Sequence, residues 1–516
     1  MSAKNPRVTQ ILTLLILLGG AFLRVYHLFK VDFIRAPFRL GGLFVAFAQQ
    51  IIQNGFRLPV TIPYYSEGGI PFAYPPLGFY LEAFLLKIFP AWQFVIANLL
   101  PPLIAVLALL LAYLVLRQIF PAQPGYLLAA LFAYAFLGNA FSNQVEAAGL
   151  AESTGSVALL VYFLAVFRYR NQPGRKNAAL AGLALGLCIL SSPGSAVGAA
   201  LLSVLLAAAT LVMRKGSASA WIESGIAALA GLLVSAPYWF TVMLNHGRGI
   251  FFLPVLAQYQ PGGNTTYLAK LFDQLTSFSV TDRTGTFFWN ALIFLGLLWL
   301  LLHSKPAIPL AFLALISIPR EGVWMIAFPA ALLFAYGLMD VLVPLARPLL
   351  DLSWSPRKYV WTAIAAALVL WLVAQSFALI DGLIADQQWK VTAPQVVGTE
   401  QAAAFIPAGA RVLVIGNDGI LEWAPYLLQR EVINTKYGLE WKPAQLQKVT
   451  ALNDEIRTAL TWDDVLSAVS QMDGQTQVYV FSTEKNRLSE LVKGSHASYT
   501  PKFETPDVQV GILGNP

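Results

Sequence analysis

Charge is scarce in this sequence: Asp, Glu, Lys and Arg make up 12% of its 516 residues, against 57% hydrophobic. That scarcity excludes a soluble enzyme, and it makes the net charge of +7 a matter of where basic residues fall rather than a sign of a nucleic-acid partner. Cysteine is almost absent. The lone Cys188, in an apolar stretch, rules out a disulfide framework. The four histidines lack zinc-ligand spacing, and the chain has no nucleophile elbow, Walker loop or zincin helix. No metal and no cofactor is therefore read from the residues, and no internal repeat stands out.

What the chain does have is a series of nearly uncharged runs over residues 1–380. They predict a polytopic α-helical membrane protein with about 11 transmembrane helices. The first run, Ile11 to Leu23, follows MSAKNPR as a signal peptide would, but Arg24 and Tyr26 stand where a small-residue cleavage site belongs, so it reads as a retained span. The others lie near Phe94–Leu116, Tyr126–Phe141, Ala151–Phe167, Ala178–Leu190, Ala196–Met213, Ile226–Leu244, Phe287–Leu302, Ala307–Ile318, Trp324–Leu345 and Val360–Ile380. Basic residues collect in alternate connections, at Arg117, at Arg168 to Lys176, at Arg214 and Lys215, at Lys305 and at Arg347 to Lys358. This bias predicts a cell-membrane protein with a cytoplasmic N-terminus. It puts the long first loop (24–90), the 138–151 and 245–285 connections, the Pro319-Arg320-Glu321 turn and the C-terminus outside.

Past Asp381 the composition becomes water-soluble, and residues 381–516 read as an extracytoplasmic α/β domain. ARVLVIGND, EVINTKY and QVYVFST read as strands, and GILEWAPYLLQR, TWDDVLSAVS and EKNRLSELVKGS as helices, which together suggest a small parallel sheet with covered faces. Gly416-Asn-Asp-Gly419 lacks phosphate-loop spacing and reads as structural. Asn264-Thr265-Thr266 is a glycosylation sequon on an outer loop.

Candidate chemistry falls on the outer face. Asp32, Glu67 and Glu146 are the candidate catalytic carboxylates, each with a plain alternative: a surface ion pair, a solvated turn, or a favourable charge at a helix N-terminus. Glu152 lies six residues beyond Glu146, roughly 240° around a helix, so the two would not share a face. Arg320 is a candidate phosphate clamp or a partner of Glu321. His246 is a candidate base, metal ligand or interfacial residue.

The sequence also carries a resemblance. Its residues are AQQIIQNG (Ala48–Gly55) in the first loop, then SEGGIPFAYPPLGFYLEAFLLKIFP (Ser66–Pro90), and more loosely GLALGLCILSSPGSAVGA, VSAPYWFTVMLNHG, IPREGVWMIAFPAALLFAYGL and LEWAPYLLQREVINTKYGLEW. The chain resembles the GT-C membrane glycosyltransferases, in the bacterial branch near the protein O-mannosyltransferases and the lipid A aminoarabinose transferases. The resemblance implies a polyprenyl-phosphate sugar as donor, an extracytoplasmic glycan, lipid or protein as acceptor, a first-loop carboxylate acting on the acceptor hydroxyl, and cations on the departing phosphate. Arg35, Arg39, Tyr74, His246 and Arg320 are then the candidates for holding substrate, and the first loop is expected to roof the site.

There is one departure. The family's acidic pair should fall near Leu40 and Gly41, and PFRLGGLFVAFAQ contains no acid. Asp32, Glu67 or Glu146 takes over the role, or the chain keeps the fold without transfer. The alternative to an enzyme is thus a catalytically degenerate GT-C protein that binds polyprenyl lipid or serves as a membrane scaffold through its C-terminal domain.

Overall fold

The structure is a computed structural model of the chain. It describes residues 6–137, 141–213, 217–253, 285–318, 322–350, 355–473, 477–484, 488, 490, 491 and 498–514. Arg320, the sequon and most of the 245–285 connection lie outside the described residues.

Helix α1 (Pro6–Val25) runs on through a 3-10 turn (Tyr26–Phe29), so the first helix is longer than the apolar run and Arg24 belongs to it rather than to the loop. The Arg24 guanidinium is buried against the next-but-one span. It donates to the Tyr134 and Ala135 carbonyls and lies 4.4 Å from the Phe141 ring. These are last-turn carbonyls of α5 (Pro124–Phe136), where a cation meets the negative end of the helix dipole.

The first loop folds into α2 (Gly42–Gln53), a two-stranded hairpin of β1 (Thr61–Ile62) and β2 (Ile70–Pro71), and α3 (Leu77–Ile88). Gly68 and Gly69, at φ 67° and 76°, make the hairpin turn that the Gly-Gly pair predicts. Pro76 caps α3, as a proline at the helix entrance allows. The bundle continues with α4 (Gln93–Ile119), α6 (Leu150–Asn171), α7 (Arg175–Ser191), α8 (Pro193–Met213), α9 (Ala218–His246), α10 (Gly285–Leu302), α11 (Ala307–Ile316), α12 (Gly322–Tyr336), α13 (Val343–Leu350) and α14 (Ser355–Ala385). Among the described residues, 7 helices are long and apolar enough to cross a membrane, and shorter apolar helices such as α5 and α11 pack between them. The protein is a multi-pass membrane protein.

The C-terminal domain holds α15 (Ala393–Ala402), β3 (Arg411–Ile415), α16 (Asp418–Leu428), β4 (Glu431–Val432), α17 (Pro443–Thr458), α18 (Trp462–Asp473), β5 (Gln477–Ser482), β6 (Ser498–Glu504) and β7 (Gln509–Gly514). The sheet order is β4-β3-β5-β7-β6. It is mixed rather than parallel. β3 pairs in parallel with β4 and β5, whereas β7 pairs antiparallel with both β5 and β6. The expected strand EVINTKY is cut to two residues because the Asn434 side chain takes over the ladder, accepting from Val414 N and donating to Val414 O. Asn417 of the Gly-Asn-Asp-Gly stretch caps α16, accepting from Ile420 N at 3.0 Å.

The first loop and this domain share one hydrophobic core. Phe47, Phe72 and Phe79 of the loop, Val412 and Val414 of β3, and Trp423 and Leu428 of α16 are all buried in it. Backbone and side-chain bonds lock the two together: Val432 N to Tyr64 O, Tyr65 Oη to Glu422 O, and Lys442 Nζ to Ser66 Oγ and Glu67 O.

Candidate functional site

Site geometry begins at Asn98 in α4, a fully buried amide inside a span. It accepts from Phe38 N at 2.7 Å and donates to the Phe33 and Ala36 carbonyls at 2.9 Å each. Three bonds from one side chain fix the segment 33–38 against the bundle. The next residue, Arg39, has φ 63°, a left-handed conformation unusual for a non-glycine residue. Its guanidinium is correspondingly over-determined. Nε stands 2.9 Å from Glu146 Oε1 in an ion pair, Nη1 lies 3.4 Å from Asp386 Oδ2 and donates to Leu383 O at 3.1 Å, and the group sits 5.7 Å from the Trp389 ring.

Glu146 arrives from the connection before α6, held there because Ala148 N donates to Leu40 O at 2.8 Å. Its carboxyl is buried, which pushes its pKa up to about 7; Arg39 opposes the rise, and the nearby Asp386 and Glu422 add to it. A buried acid poised near neutrality beside a fixed cation is suited to proton transfer.

Beyond Arg39 opens a cavity of about 360 Å³ at the junction of the first loop, the end of α14 and the start of α15. Lys30, Asp32, Arg39, Asp386 and Lys390 bring three cations and two anions to its wall, alongside apolar surface from Val31, Phe38 and Leu383. Such a mixture fits an anionic head group on an apolar tail.

Of the sequence candidates, Asp32 and Arg39 line the cavity, and Glu146 pairs with Arg39 without itself lining it. Asp32 lies on the cavity wall and Arg39 between wall and acid. Arg35 is exposed and outside the lining. Glu67 sits at the hairpin tip, where Arg411 of β3 holds it at 3.1 Å while also pairing with Glu431 at 2.8 Å. Tyr74 packs edge-on against Trp441 and Phe44. His246 ends α9, whose Tyr238 donates to Ala73 O at 2.6 Å. None of Glu67, Tyr74 and His246 lines the cavity, and Arg320 falls outside the described residues. Sequence reasoning missed Asn98, Asp386 and Lys390, which are far apart in the chain and carry no local motif.

It also missed how the acid-free stretch at Leu40 and Gly41 is held. The Glu422 carboxylate of α16 accepts from Gly41 N at 3.0 Å, Gly42 N at 2.8 Å and Leu43 N at 2.7 Å, at the N-terminus of α2. Burial pushes this carboxyl up to about 7 against those three N–H groups, which favour its ionised form. Neither glycine has space for a side chain. A Cβ at Gly42 would lie 2.9 Å from Trp423 Cα, and one at Gly41, whose φ of 154° favours glycine, would run into Ala147.

Comparison with solved structures then decides the fold. The chain aligns with the archaeal oligosaccharyltransferase AglB of Archaeoglobus fulgidus, in complex with an inhibitory peptide and a dolichol-phosphate, at a TM-score of 0.60 and 15% identity, covering 100% of this chain and 75% of that one. It aligns with ArnT of Cupriavidus metallidurans bound to undecaprenyl phosphate at 0.57 and 16%, covering 98% of each chain. The chain has the GT-C fold. The arabinofuranosyltransferase AftD from mycobacteria also aligns, at 0.53 and 14%, covering 100% of this chain and 40% of that one. No protein-family model and no curated protein matches the sequence. The GT-C likeness is thus one of backbone and topology, and the chemistry has to be argued from the side chains above.

Proposed function

We propose that the protein is an integral-membrane glycosyltransferase that moves a sugar from a polyprenyl-phosphate donor to an extracytoplasmic acceptor. The observation that carries this reading is the buried Arg39–Glu146 pair, at 2.9 Å, beside the polar cavity that Arg39 also lines. Glu146 takes the proton of the acceptor hydroxyl as its oxygen bonds to the anomeric carbon. The carbon–phosphate oxygen bond breaks, and the lipid phosphate leaves with the electron pair, towards Arg39, Lys30 and Lys390. A base poised near neutrality and fixed cations facing the leaving group are what this displacement requires. The GT-C fold of the structural neighbours, two of them holding a polyprenyl-type phosphate, supports the donor class.

The test is transfer from labelled polyprenyl-phosphate sugars by the protein in lipid bilayers, compared with Glu146→Gln and Asp32→Asn. Loss of about 10²-fold or more in Glu146→Gln, with Asp32→Asn retaining transfer, is the expected result. Equal transfer by Glu146→Gln and the unaltered protein would end the assignment.

One observation favours a second reading, a GT-C protein that binds polyprenyl lipid without transfer: the first loop carries no acid near Leu40 and Gly41, and the Glu422 carboxylate that reaches this stretch is already committed to three N–H donors. Lipid binding with no turnover for any donor would select it.

A further inference from the structure

Arg39 is strained and the strain has a visible restraint. Its φ of 63° costs free energy, and such a residue persists only where its surroundings hold it. From the bundle side Asn98 fixes the chain as far as Phe38 N. From the other side the restraint comes from α16 of the C-terminal domain. Trp423 Nε1 donates to the Arg39 carbonyl at 2.8 Å, and the Glu422 carboxylate takes the three N–H groups that follow Leu40. Glu422 is itself 3% exposed, and Tyr65 Oη donates to its carbonyl at 3.1 Å, so the donor side cannot swing away without breaking the shared core.

We infer that Glu422 and Trp423 are positioning residues, through which the C-terminal domain sets Arg39 against Glu146. Neither touches the cavity; both act through the backbone of residues 39–43. The inference takes its functional meaning from the proposed role of Glu146, but its structural content is independent of it. Glu422 is suited to the task because a carboxylate satisfies three convergent donors that no neutral side chain of its length satisfies equally. Gly42 is what allows α16 to approach this closely, while Gly41 lies against Ala147.

The experiment uses the full-length protein in lipid bilayers and the variants Glu422→Gln and Trp423→Phe. The second removes the indole donor and leaves a smaller aromatic ring against Gly42. Amide hydrogen exchange is followed in a peptide covering residues 38–47 and, as a folding control, in one covering β5. The ionisation of Glu146 is followed by its infrared carboxyl band, identified by its disappearance in Glu146→Gln. Release of the latch predicts exchange in residues 41–43 faster by roughly tenfold or more in Glu422→Gln, with β5 unchanged. In Trp423→Phe, which removes no charge, loss of Arg39 from Glu146 moves the Glu146 midpoint up by about one pH unit.

Unchanged exchange in both variants overturns the latch. Faster exchange with an unmoved Glu146 midpoint overturns the positioning role and leaves α16 a structural contact. Faster exchange that includes β5 in Glu422→Gln passes the decision to Trp423→Phe alone. Absence of sugar transfer in the unaltered protein would remove the proposed reaction, while both readouts here still decide the latch.

Discussion

Trp423 donates its indole N–H to the carbonyl of Arg39, 2.8 Å away, across 384 residues of sequence. On the opposite side of the same loop, Asn98 binds Phe38 N at 2.7 Å. The one arginine on the cavity wall that also meets a buried acid is therefore gripped between a membrane span and the C-terminal domain.

Removing Arg39 should leave Glu146 buried without its cation. The side chains of the pair are 11% and 9% exposed, so the loss is not repaired by solvent. Arg39→Ala is expected to cost about 3 kcal/mol of stability, read as a lowered thermal midpoint in detergent. Because Glu146 can escape the cost by taking a proton, the loss should be smaller at pH 5 than at pH 8.

Gly42→Ala should act on the domain contact rather than on the bundle. The added Cβ would meet Trp423 Cα at 2.9 Å, a backbone atom that cannot turn aside. A loss of about 1–3 kcal/mol and faster proteolysis between α14 and α15 are expected. An unaltered proteolysis rate would count against the close approach.

Glu82 gives a pH prediction. It lies on α3, is 2% exposed, its Oε2 has no hydrogen-bond partner among the described residues, and burial pushes its pKa up to about 8. A carboxyl raised in the folded state contributes stability that is complete below the ordinary value of 4.5 and is lost as pH rises through about 8. The thermal midpoint should accordingly fall between about pH 5 and 8 and level off above, with a shallower fall in Glu82→Gln. Parallel slopes for the two proteins would show that another group is responsible.

Tyr238→Phe should loosen the tie between α9 and the first loop. Its hydroxyl donates to the buried Ala73 carbonyl at 2.6 Å, and phenylalanine leaves that carbonyl without its donor. The cost is expected at about 1–2 kcal/mol, with faster amide exchange near Ala73. Unchanged exchange would place the restraint elsewhere, for instance in the Tyr74–Trp441 contact.

The elements that were legible in the sequence are those whose signal is local. The long apolar runs became α4, α6, α8, α9 and α14, because a bilayer demands continuous hydrophobic length. Gly68-Gly69 and Pro76 marked a turn and a helix entrance by their own backbone limits. The mixed sheet was not legible: β6 and β7 lie past the last segment read as a helix, and pairing direction depends on where a strand lands, not on its residues.

The candidate site divides in the same way. Glu146 stood out in the sequence as an acid at the outer start of an apolar span and Arg39 as a first-loop cation beside Pro37, while the missing acid near Leu40 and Gly41 was legible only through the resemblance. That Glu146 meets Arg39, that Asp386 and Lys390 share its cavity, and that Glu422 fills the N-terminus of α2 are contacts between segments up to 381 residues apart. A sequence states which groups carry charge. Only the tertiary structure decides which charges share a dry space, because burial and distance set their interaction and neither is written in the order of residues.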